Sequence, residues 1–259
     1  MPELPDVEGY RRELAKRLPG RRVRDVTVTD AGVLRNSSAT AFVDHLRGHR
    51  FTTPGRHGKW LLLPTDGPTL VVHSGMTGRP RWERADDPPD RFDRVRIRLD
   101  RGELRYADMR KLRGLWLVDG PDELARVIGR SGPDALTASR DEFARALSSG
   151  RRVLKTALTD QAVLAGLGNL LSDEICWQAR VHPLRTCGSL DGTEVSALYS
   201  TMRRVLRTSV RHQCVPSLRN WLTRVRDDKH AVCPRCDAPL ERARNQGRMT
   251  VWCPREQAR

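Results

Sequence analysis

The first half of the chain contains short apolar runs that lie close together in sequence, and this spacing constrains the fold more than any other feature. Turn sequences such as Thr65-Asp66-Gly67-Pro68 and Asp100-Arg101-Gly102 separate the runs. Each run is too short for a typical helix but long enough for a strand. Because short strands follow one another so quickly, we expect an antiparallel β-sandwich or a barrel-like sheet. The predicted strands lie at residues 60–63, 70–72, 95–99 and 115–118, after an extended segment that begins at Val23 and a short helix at 40–46.

The second half is predicted to be helical. A Gly/Pro-rich boundary at 129–133 ends the strand pattern, and apolar residues then recur at helical spacing. The fold prediction is α+β and multidomain. It comprises an N-terminal antiparallel β-sandwich with a leading helix (1–129), a helical domain (133–225) and a C-terminal zinc-ribbon-like hairpin (230–259). The predicted helices of the second half span residues 139–148, 153–159, 170–180 and 193–212.

The charge of the chain indicates a polyanionic partner. The 47 basic residues outnumber the 32 acidic ones and give a formal net charge of +15, which favours binding to nucleic acid. No apolar run reaches the length of a membrane span, and the N-terminus lacks the pattern of a signal peptide. We therefore expect an intracellular protein that is cytoplasmic, associated with the nucleoid and independent of membranes.

The first eight residues, Met1-Pro2-Glu3-Leu4-Pro5-Asp6-Val7-Glu8, contain a candidate nucleophile. If an aminopeptidase removes Met1, Pro2 becomes a terminal secondary amine, and α-amino groups have pKa values of roughly 7.7–8.0. A useful fraction is then unprotonated at neutral pH and is able to attack a carbonyl carbon, forming a Schiff base. Glu3 is a neighbouring carboxylate suited to proton transfer. The alternative interpretation is an ordinary helix start, in which Pro5 occupies the first turn of a helix that runs to about Leu18.

A glycine-rich turn precedes the predicted helix at 170–180. Gly166-Leu167-Gly168-Asn169 leads into that helix, and Asp173 and Glu174 are predicted to lie in its first turn. Backbone N–H groups at a helix N-terminus favour an anion, so the turn is a candidate phosphate site. A tight helix–helix turn without a ligand is the alternative.

The cysteines near the C-terminus have the spacing of a metal site. Cys233 and Cys236 form a C-x2-C pair, and Cys253 follows after 16 intervening residues, as in a zinc ribbon. Position 256, where a fourth cysteine is expected, carries Glu256. Zinc also accepts carboxylate and imidazole ligands, so Glu256 or His230 is the predicted fourth ligand. The alternative is a metal-free ribbon. The remaining three cysteines are scattered, so we expect no disulfide framework.

Several of these stretches occur, in the same order, in a known enzyme family. The sequence resembles the formamidopyrimidine-DNA glycosylase and endonuclease VIII family of helix–two-turn–helix DNA glycosylase/AP lyases, and the resemblance covers nearly the whole chain. The stretches that carry it are MPELPDVE, HSGMTG at 73–78, DMRKL at 108–112, GLGN followed by DEICWQARVHP at 166–183, and QGRMT at 246–250.

The resemblance implies a role for each matching residue. Pro2 would be the nucleophile and Glu3 the proton-transfer group. Of the other residues in the catalytic set, Lys59 would contact a phosphate near the lesion and Arg248 would be inserted at the lesion. Met76, Arg110 and Leu112 would fill the space left by a flipped-out nucleotide, and Lys155 and Asn169 would hold the DNA backbone. One structural zinc ion is implied as the cofactor, and double-stranded DNA containing oxidised bases or abasic sites as the partner of a monomeric enzyme.

Two departures from the family pattern affect the predicted substrate. Leu112 stands where the formamidopyrimidine branch usually has phenylalanine, and the segment Val215–Val232 is short and lacks the usual tyrosine-glycine-arginine run. Both weaken the case for 8-oxoguanine, so oxidised pyrimidines, formamidopyrimidines or bare abasic sites are expected instead. The predicted activity is base excision through a Schiff base, followed by β- or β,δ-elimination. Two alternatives are a non-catalytic paralogue that binds damaged DNA and a zinc-ribbon regulator that binds nucleic acid.

Overall fold

The computed structural model describes residues 2–148 and 150–257. The chain divides into two compact units. The N-terminal unit comprises Met1–Pro2 and Asp6–Gly129, and the C-terminal unit comprises Glu3–Pro5 and Arg130–Arg259. Residues 3–5 belong to the C-terminal unit, and Leu4 is fully buried in the hydrophobic core of that unit. None of the helices in the described ranges has the length and hydrophobicity of a membrane span.

Two four-stranded sheets form the framework of the N-terminal unit, and every strand pair in them is antiparallel. The strands are β1 (Val23–Val28), β2 (Gly55–His57), β3 (Trp60–Pro64), β4 (Thr69–His73), β5 (Arg79–Glu83), β6 (Asp93–Leu99), β7 (Glu103–Ala107) and β8 (Gly114–Val118). The strand orders are β1-β6-β7-β5 and β2-β3-β4-β8. Alternate side chains from both sheets, among them Val95 and Leu63, enter one buried cluster, as expected of a sandwich.

Three helices accompany these sheets. They are α1 (Leu4–Ala15), α2 (Ala39–Leu46) and α3 (Gly120–Ile128). Ser38 caps α2, its hydroxyl accepting a hydrogen bond from the N–H of Ala41, and Phe42 and Leu46 on one face of α2 are fully buried.

A buried ion cluster attaches α1 to the β2–β3 hairpin. Arg56 donates to Glu8 at 3.2 Å, while Arg11 and Arg12 donate to the same carboxylate from the following turn of α1. Burial alone would raise the pKa of Glu8, but the three arginines outweigh it and lower the pKa to about 2. The carboxylate is therefore ionised throughout the neutral pH range and fixes the direction of α1.

Helices form most of the C-terminal unit. They are α4 (Arg140–Leu147), α5 (Leu154–Thr159), α6 (Asn169–Gln178) and α7 (Gly192–His212). Capping boxes start two of them, with Ser139 and Glu142 at α4 and Asp191 and Glu194 at α7. Helix α6 has buried side chains from Leu171 to Trp177, and it packs against α5, α7 and the C-terminal hairpin.

The C-terminal hairpin consists of β9 (Glu241–Asn245) and β10 (Arg248–Trp252), joined by Gln246 and Gly247 in left-handed conformations. Such a two-residue turn matches the twist of the paired strands. A small hydrophobic cluster beneath the hairpin contains Trp177 of α6 together with Leu240 and Val251.

The predicted fold class is confirmed, since the structure contains the antiparallel sheets, the helical region and the ribbon-like hairpin. The C-terminal unit begins at Arg130, and the proposed further division between residues 225 and 230 stays a prediction. The sequence analysis missed β2, β5, β7 and α3. It also placed Asp173 and Glu174 wrongly in the first turn of α6. The helix begins at Asn169, and both carboxylates are fully buried further along it.

Candidate active site and nucleic-acid interface

The Glu3 carboxylate is bound to the N-terminus of α6. Its Oε2 accepts hydrogen bonds from the N–H groups of Gly168 (2.8 Å) and Leu171 (3.3 Å), and its Oε1 accepts one from Leu170 (2.8 Å). Only 1% of the residue is exposed. The positive end of a helix stabilises a negative charge, so the site suits an ionised carboxylate. Glu3 is thereby held as a fixed acceptor directly after Pro2 in the chain.

Small residues in the turn make this contact possible. A Cβ atom at Gly168 would lie 2.3 Å from Glu3 Cδ, and one at Gly166 would lie 2.4 Å from Leu4 Cδ1. The N–H of Leu4 also donates to the carbonyl of Gly166 at 3.1 Å. The two glycines therefore permit the N-terminal residues to approach the turn closely.

The turn was predicted to bind a phosphate through free backbone N–H groups. That prediction is wrong for three of these groups. The N–H groups of Gly168, Leu170 and Leu171 are already occupied by Glu3. Such a contact joins residues more than 160 positions apart, and no local pattern in the sequence encodes it.

Asn169 remains a candidate for contact with DNA. Its Oδ1 atom is buried and has no hydrogen-bond partner among the described residues. A buried amide oxygen without a partner is uncommon in proteins. The contact with the DNA backbone stays a prediction, and it would use the Nδ2 donor of Asn169, since a phosphate accepts hydrogen bonds as this oxygen does.

Pro2 is half-buried and belongs to the N-terminal unit. Met1, whose removal the chemistry requires, lies outside the described residues.

Lys59 lies at the tip of a tight hairpin. His57 pairs with Trp60, so Gly58 and Lys59 form a two-residue turn between β2 and β3, with Gly58 at a φ of 54°. Nearby, burial and, to a lesser degree, the positive charges of Arg113 and Lys59 together lower the pKa of His73 to about 4. His73 is therefore neutral at pH 7, and its Nδ1 accepts a hydrogen bond from the N–H of Gly75. This bond helps to shape the loop that carries Met76.

The predicted space-filling residues lie on two loops, and Arg110 on one loop contacts Met76 on the other. Arg110 Nη1 lies 2.8 Å from Met76 Sδ, and the side chains of Met76 and Leu112 are 41% and 53% exposed. Exposed apolar side chains of this size mark interaction sites rather than core positions. Met109, to which the sequence analysis gave no role, is exposed to the same degree as Leu112.

Asp108 joins these two loops. Its Oδ1 accepts hydrogen bonds from the Thr77 hydroxyl at 2.6 Å and from the N–H groups of Arg110 and Lys111 at 3.1 Å. Its Oδ2 accepts one from the Tyr106 hydroxyl at 3.1 Å. No role was predicted for Asp108 from the sequence, whereas the structure shows that its carboxylate connects the two loops.

The hairpin that carries Arg248 is fixed from below by a buried ionic network. Lys155 Nζ lies 2.6 Å from Asp173 Oδ1, and Arg226 Nε lies 2.7 Å from Asp173 Oδ2. Both cations also donate to the carbonyl of Met249, at 2.7 and 2.9 Å. Arg248 itself donates to the Thr159 hydroxyl at 2.8 Å. The network therefore sets the position of β10 at its first residues.

Lys155 is buried, since only 1% of the residue is exposed to solvent. Burial lowers the pKa of Lys155 and raises the pKa of Asp173, so each charge depends on its partner. We interpret Lys155 as a residue that positions the hairpin. The predicted contact of Lys155 with a phosphate stays a prediction.

The three ribbon cysteines converge. Among the described residues, Cys233, Cys236 and Cys253 form the group whose ligand atoms all lie within 4.8 Å of one another. Zinc–sulfur bonds of about 2.3 Å in a tetrahedron place sulfur atoms roughly 3.8 Å apart, so three thiolates arranged in this way fit a zinc ion. The indole N–H of Trp177 donates to Cys233 Sγ at 3.4 Å, an outer contact of the kind that orients metal ligands.

Comparison with known proteins decides the family. The family model of the formamidopyrimidine-DNA glycosylase N-terminal domain matches residues 1–115, and that of the H2TH domain matches residues 131–217. The chain belongs to the formamidopyrimidine-DNA glycosylase family. The formamidopyrimidine-DNA glycosylases of Herpetosiphon aurantiacus and Heliobacterium modesticaldum are 35% and 37% identical to it, over 98% of this chain and 98% and 99% of theirs.

Solved structures of the family agree with this assignment. Lactococcus lactis formamidopyrimidine-DNA glycosylase bound non-covalently to DNA with an abasic site has a TM-score of 0.89 at 27% identity. The same enzyme with DNA containing N7-benzyl-Fapy-dG has a TM-score of 0.87 at 26% identity, and both matches cover 100% of both chains. The predicted resemblance is confirmed. The protein is a DNA glycosylase of base excision repair that also has AP lyase activity.

The Asp173 network gives a first testable prediction. Replacing Asp173 by Asn leaves two buried cations without a counter-charge, which typically costs about 3–5 kcal/mol of stability. Urea unfolding at pH 7 should show this loss.

Glu174→Gln is the matched control, because Glu174 is equally buried on the same helix. Its carboxylate accepts from Gln178 Nε2 and from the N–H of Thr223, and burial raises its pKa to about 7. Glutamine replaces a group that is already partly neutral, so a loss of only about 1 kcal/mol is expected. Equal losses in the two variants would contradict the ionic role of Asp173.

Proposed function

We propose that Pro2, once exposed as the N-terminal residue, is the nucleophile with which this enzyme excises damaged bases from duplex DNA. The observation that carries the proposal is the position of Glu3. Its carboxylate is immobilised by three N–H donors at the start of α6, and it is the residue that follows Pro2. A buried carboxylate next to a low-pKa amine supplies both groups that Schiff-base chemistry needs.

The reaction proceeds in two stages. The Pro2 nitrogen attacks C1′ of the damaged nucleotide, the N-glycosidic electron pair leaves with the base, and the sugar ring opens to give an iminium ion. Glu3 moves the protons that the departing base and the ring oxygen require. The positive iminium nitrogen then acidifies the C2′ proton, and its loss expels the 3′ phosphate by β-elimination. A second elimination releases the 5′ phosphate where the reaction continues to δ.

We assign the contacts with DNA to residues that the sequence analysis identified. The apolar side chains of Met76 and Leu112 replace the stacking of the extruded nucleotide, and Arg110 pairs with the base left behind. Lys59 and Asn169 hold the DNA backbone. Arg248 is presented by the turn of the β9–β10 hairpin.

The proposed substrates are oxidised pyrimidines, formamidopyrimidines and bare abasic sites, ahead of 8-oxoguanine. Leu112 supports this ranking because its branched aliphatic side chain stacks less well than an aromatic ring on the opposite base. A panel of duplexes that each carry one lesion tests the proposal. Cleavage of abasic and oxidised-pyrimidine duplexes is expected, whereas a strong preference for 8-oxoguanine opposite cytosine would overturn the ranking. Failure to cleave any duplex would overturn the enzymatic assignment.

Binding to a duplex with an abasic-site analogue should weaken steeply with salt. Each neutralised phosphate contributes about 0.9 to the slope of log affinity against log salt. Lys59→Ala should lower this slope by about 1. Lys16, an exposed lysine just after α1, is the matched control, and Lys16→Ala should leave the slope unchanged. A wild-type slope near zero would exclude binding through phosphates.

The proposed cofactor is one structural zinc ion bound by Cys233, Cys236 and Cys253, and Glu256 or His230 was the fourth ligand expected from the sequence. The convergence of the three thiols supports it. Elemental analysis of purified protein should find about one zinc per chain, as expected for one such site. Since the relatives are bacterial enzymes that act on DNA, we place the site of action at the nucleoid in the cytoplasm.

A further inference from the structure

The carboxylate at position 256 faces arginines. Glu256 Oε2 forms ion pairs with Arg180 Nε at 3.1 Å and Arg235 Nη1 at 3.7 Å, and this oxygen is shielded from solvent and has no hydrogen-bond partner among the described residues. Only 18% of the Glu256 side chain is exposed. Two guanidinium groups therefore compensate its charge.

Arg235 is held in place by α6. The Arg235 guanidinium stacks on the ring of Trp177 at 3.9 Å from the ring centroid and donates to the Trp177 carbonyl at 2.9 Å. Arg180 follows the C-terminal end of α6 with a φ of 59°, a left-handed conformation that is unfavourable for a non-glycine residue. Arg180 adopts this conformation, and its side chain contacts Glu256.

Gln257 also links the end of the ribbon to the segment that follows α6. Its Nε2 donates to the carbonyl of Val181 and its Oε1 accepts from the N–H of Cys253, both at 2.9 Å. Residues 256 and 257 thus bind the end of the ribbon to the chain segment that leaves α6.

The thiols lie on the other side of this backbone. The N–H of Glu256 donates to Cys253 Sγ at 3.4 Å, so the main chain of Glu256 faces the cysteines while its carboxylate faces the arginines. Within the described residues, the converging group contains three thiols and neither Glu256 nor His230. His230 is exposed.

We propose that Glu256 is not a metal ligand but the docking group of the ribbon, and that the three thiolates bind a metal ion whose fourth position is open to an external ligand. Zinc sites with three protein ligands take water or another small donor in the fourth position. Glu256 would have to leave two arginines to reach the metal. The inference rests on the proposed metal binding and is independent of the glycosylase and lyase activities.

Cobalt(II) bound to the full-length protein tests the ligand set directly, because its absorption spectrum reports thiolate bonds and coordination number. Glu256→Gln and His230→Ala should leave the cobalt spectrum unchanged. Imidazole, added as the external ligand, should shift the spectrum of the wild type and of Glu256→Gln. Glu256→Cys supplies a fourth thiolate, and this variant should show stronger thiolate absorption and no response to imidazole.

The alternative outcomes are distinct. A spectrum altered by Glu256→Gln or His230→Ala would show that the replaced residue is a ligand and would overturn the inference, as would a wild-type spectrum that imidazole leaves unchanged. Absence of thiolate–cobalt absorption would overturn the proposed metal site as well. The docking role has its own readout in metal-free protein, where Glu256→Gln should lower the melting temperature. An unchanged melting temperature would overturn that role.

Discussion

Glu3→Gln is expected to reduce base excision by about 10²–10⁴-fold, the range typical of a lost acid–base group. Both carboxylate oxygens of Glu3 accept N–H groups from the start of α6. Glutamine keeps one acceptor but turns an NH2 group toward N–H donors, and it also loses the negative charge that the helix terminus stabilises. The variant therefore lacks the proton-transfer group and also loses part of the hydrogen bonding that holds this side chain at the start of α6. Single-turnover excision of an oxidised pyrimidine measures the effect.

Cleavage of a preformed abasic site is the internal control for this variant. Opening an abasic sugar requires less acid assistance than expelling a base, so Glu3→Gln should retain part of its lyase activity. Gly168→Ala provides a second comparison, because its Cβ would lie 2.3 Å from Glu3 Cδ and would displace the carboxylate without removing it. We expect Gly168→Ala to lose excision as well. Equal loss of excision and lyase activity in Glu3→Gln would contradict the proton-transfer role.

An N-terminal extension of a few residues is expected to abolish both excision and strand cleavage. The extension converts the Pro2 amine into an amide, which has no basic lone pair and cannot form an iminium ion. Pro2→Gly with a free N-terminus supplies a primary amine instead, and it should keep part of the lyase activity. DNA binding should persist in the extended protein, because the residues proposed to contact DNA are unchanged. Full activity of the extended protein would exclude the terminal amine as the nucleophile.

The elements that could be predicted from the sequence are those whose burial follows a local pattern. The apolar strands β3, β4 and β8 and the periodic helix α7 were found in this way, because their hydrophobic residues recur at the spacing of the element itself. The missed strand β7 shows the limit. Glu103 and Arg105 interrupt its apolar pattern, yet both are buried and pair with each other at 2.5 Å. Arg105 also lies 3.6 Å from Asp93 on β6, and such cross-strand compensation is not visible in a single stretch of sequence.

The candidate site likewise contains residues that could be predicted from the sequence and contacts that could not. The three cysteines were predicted to form a metal site from residue type and spacing, whereas Pro2 and Glu3 were candidates by residue type and received their predicted roles from the family resemblance. The partners of Glu3 and Lys155 could not be predicted, since both side chains are satisfied by residues distant in the chain. Lys155 illustrates this limit, because the family resemblance assigns it to the DNA backbone and no nearby residue in the sequence identifies its partners. The structure shows that Asp173 and the Met249 carbonyl are partners of its ammonium group.

Borohydride trapping on a duplex with one abasic site tests the central claim most directly. If Pro2 is the nucleophile, borohydride reduces the transient iminium ion to a stable amine, and the protein becomes covalently joined to the DNA. Peptide mapping of the trapped complex should place the link at residue 2, and the N-terminally extended protein should give no complex. A complex that forms unchanged with the extended protein, or that maps to Lys59, would contradict the account.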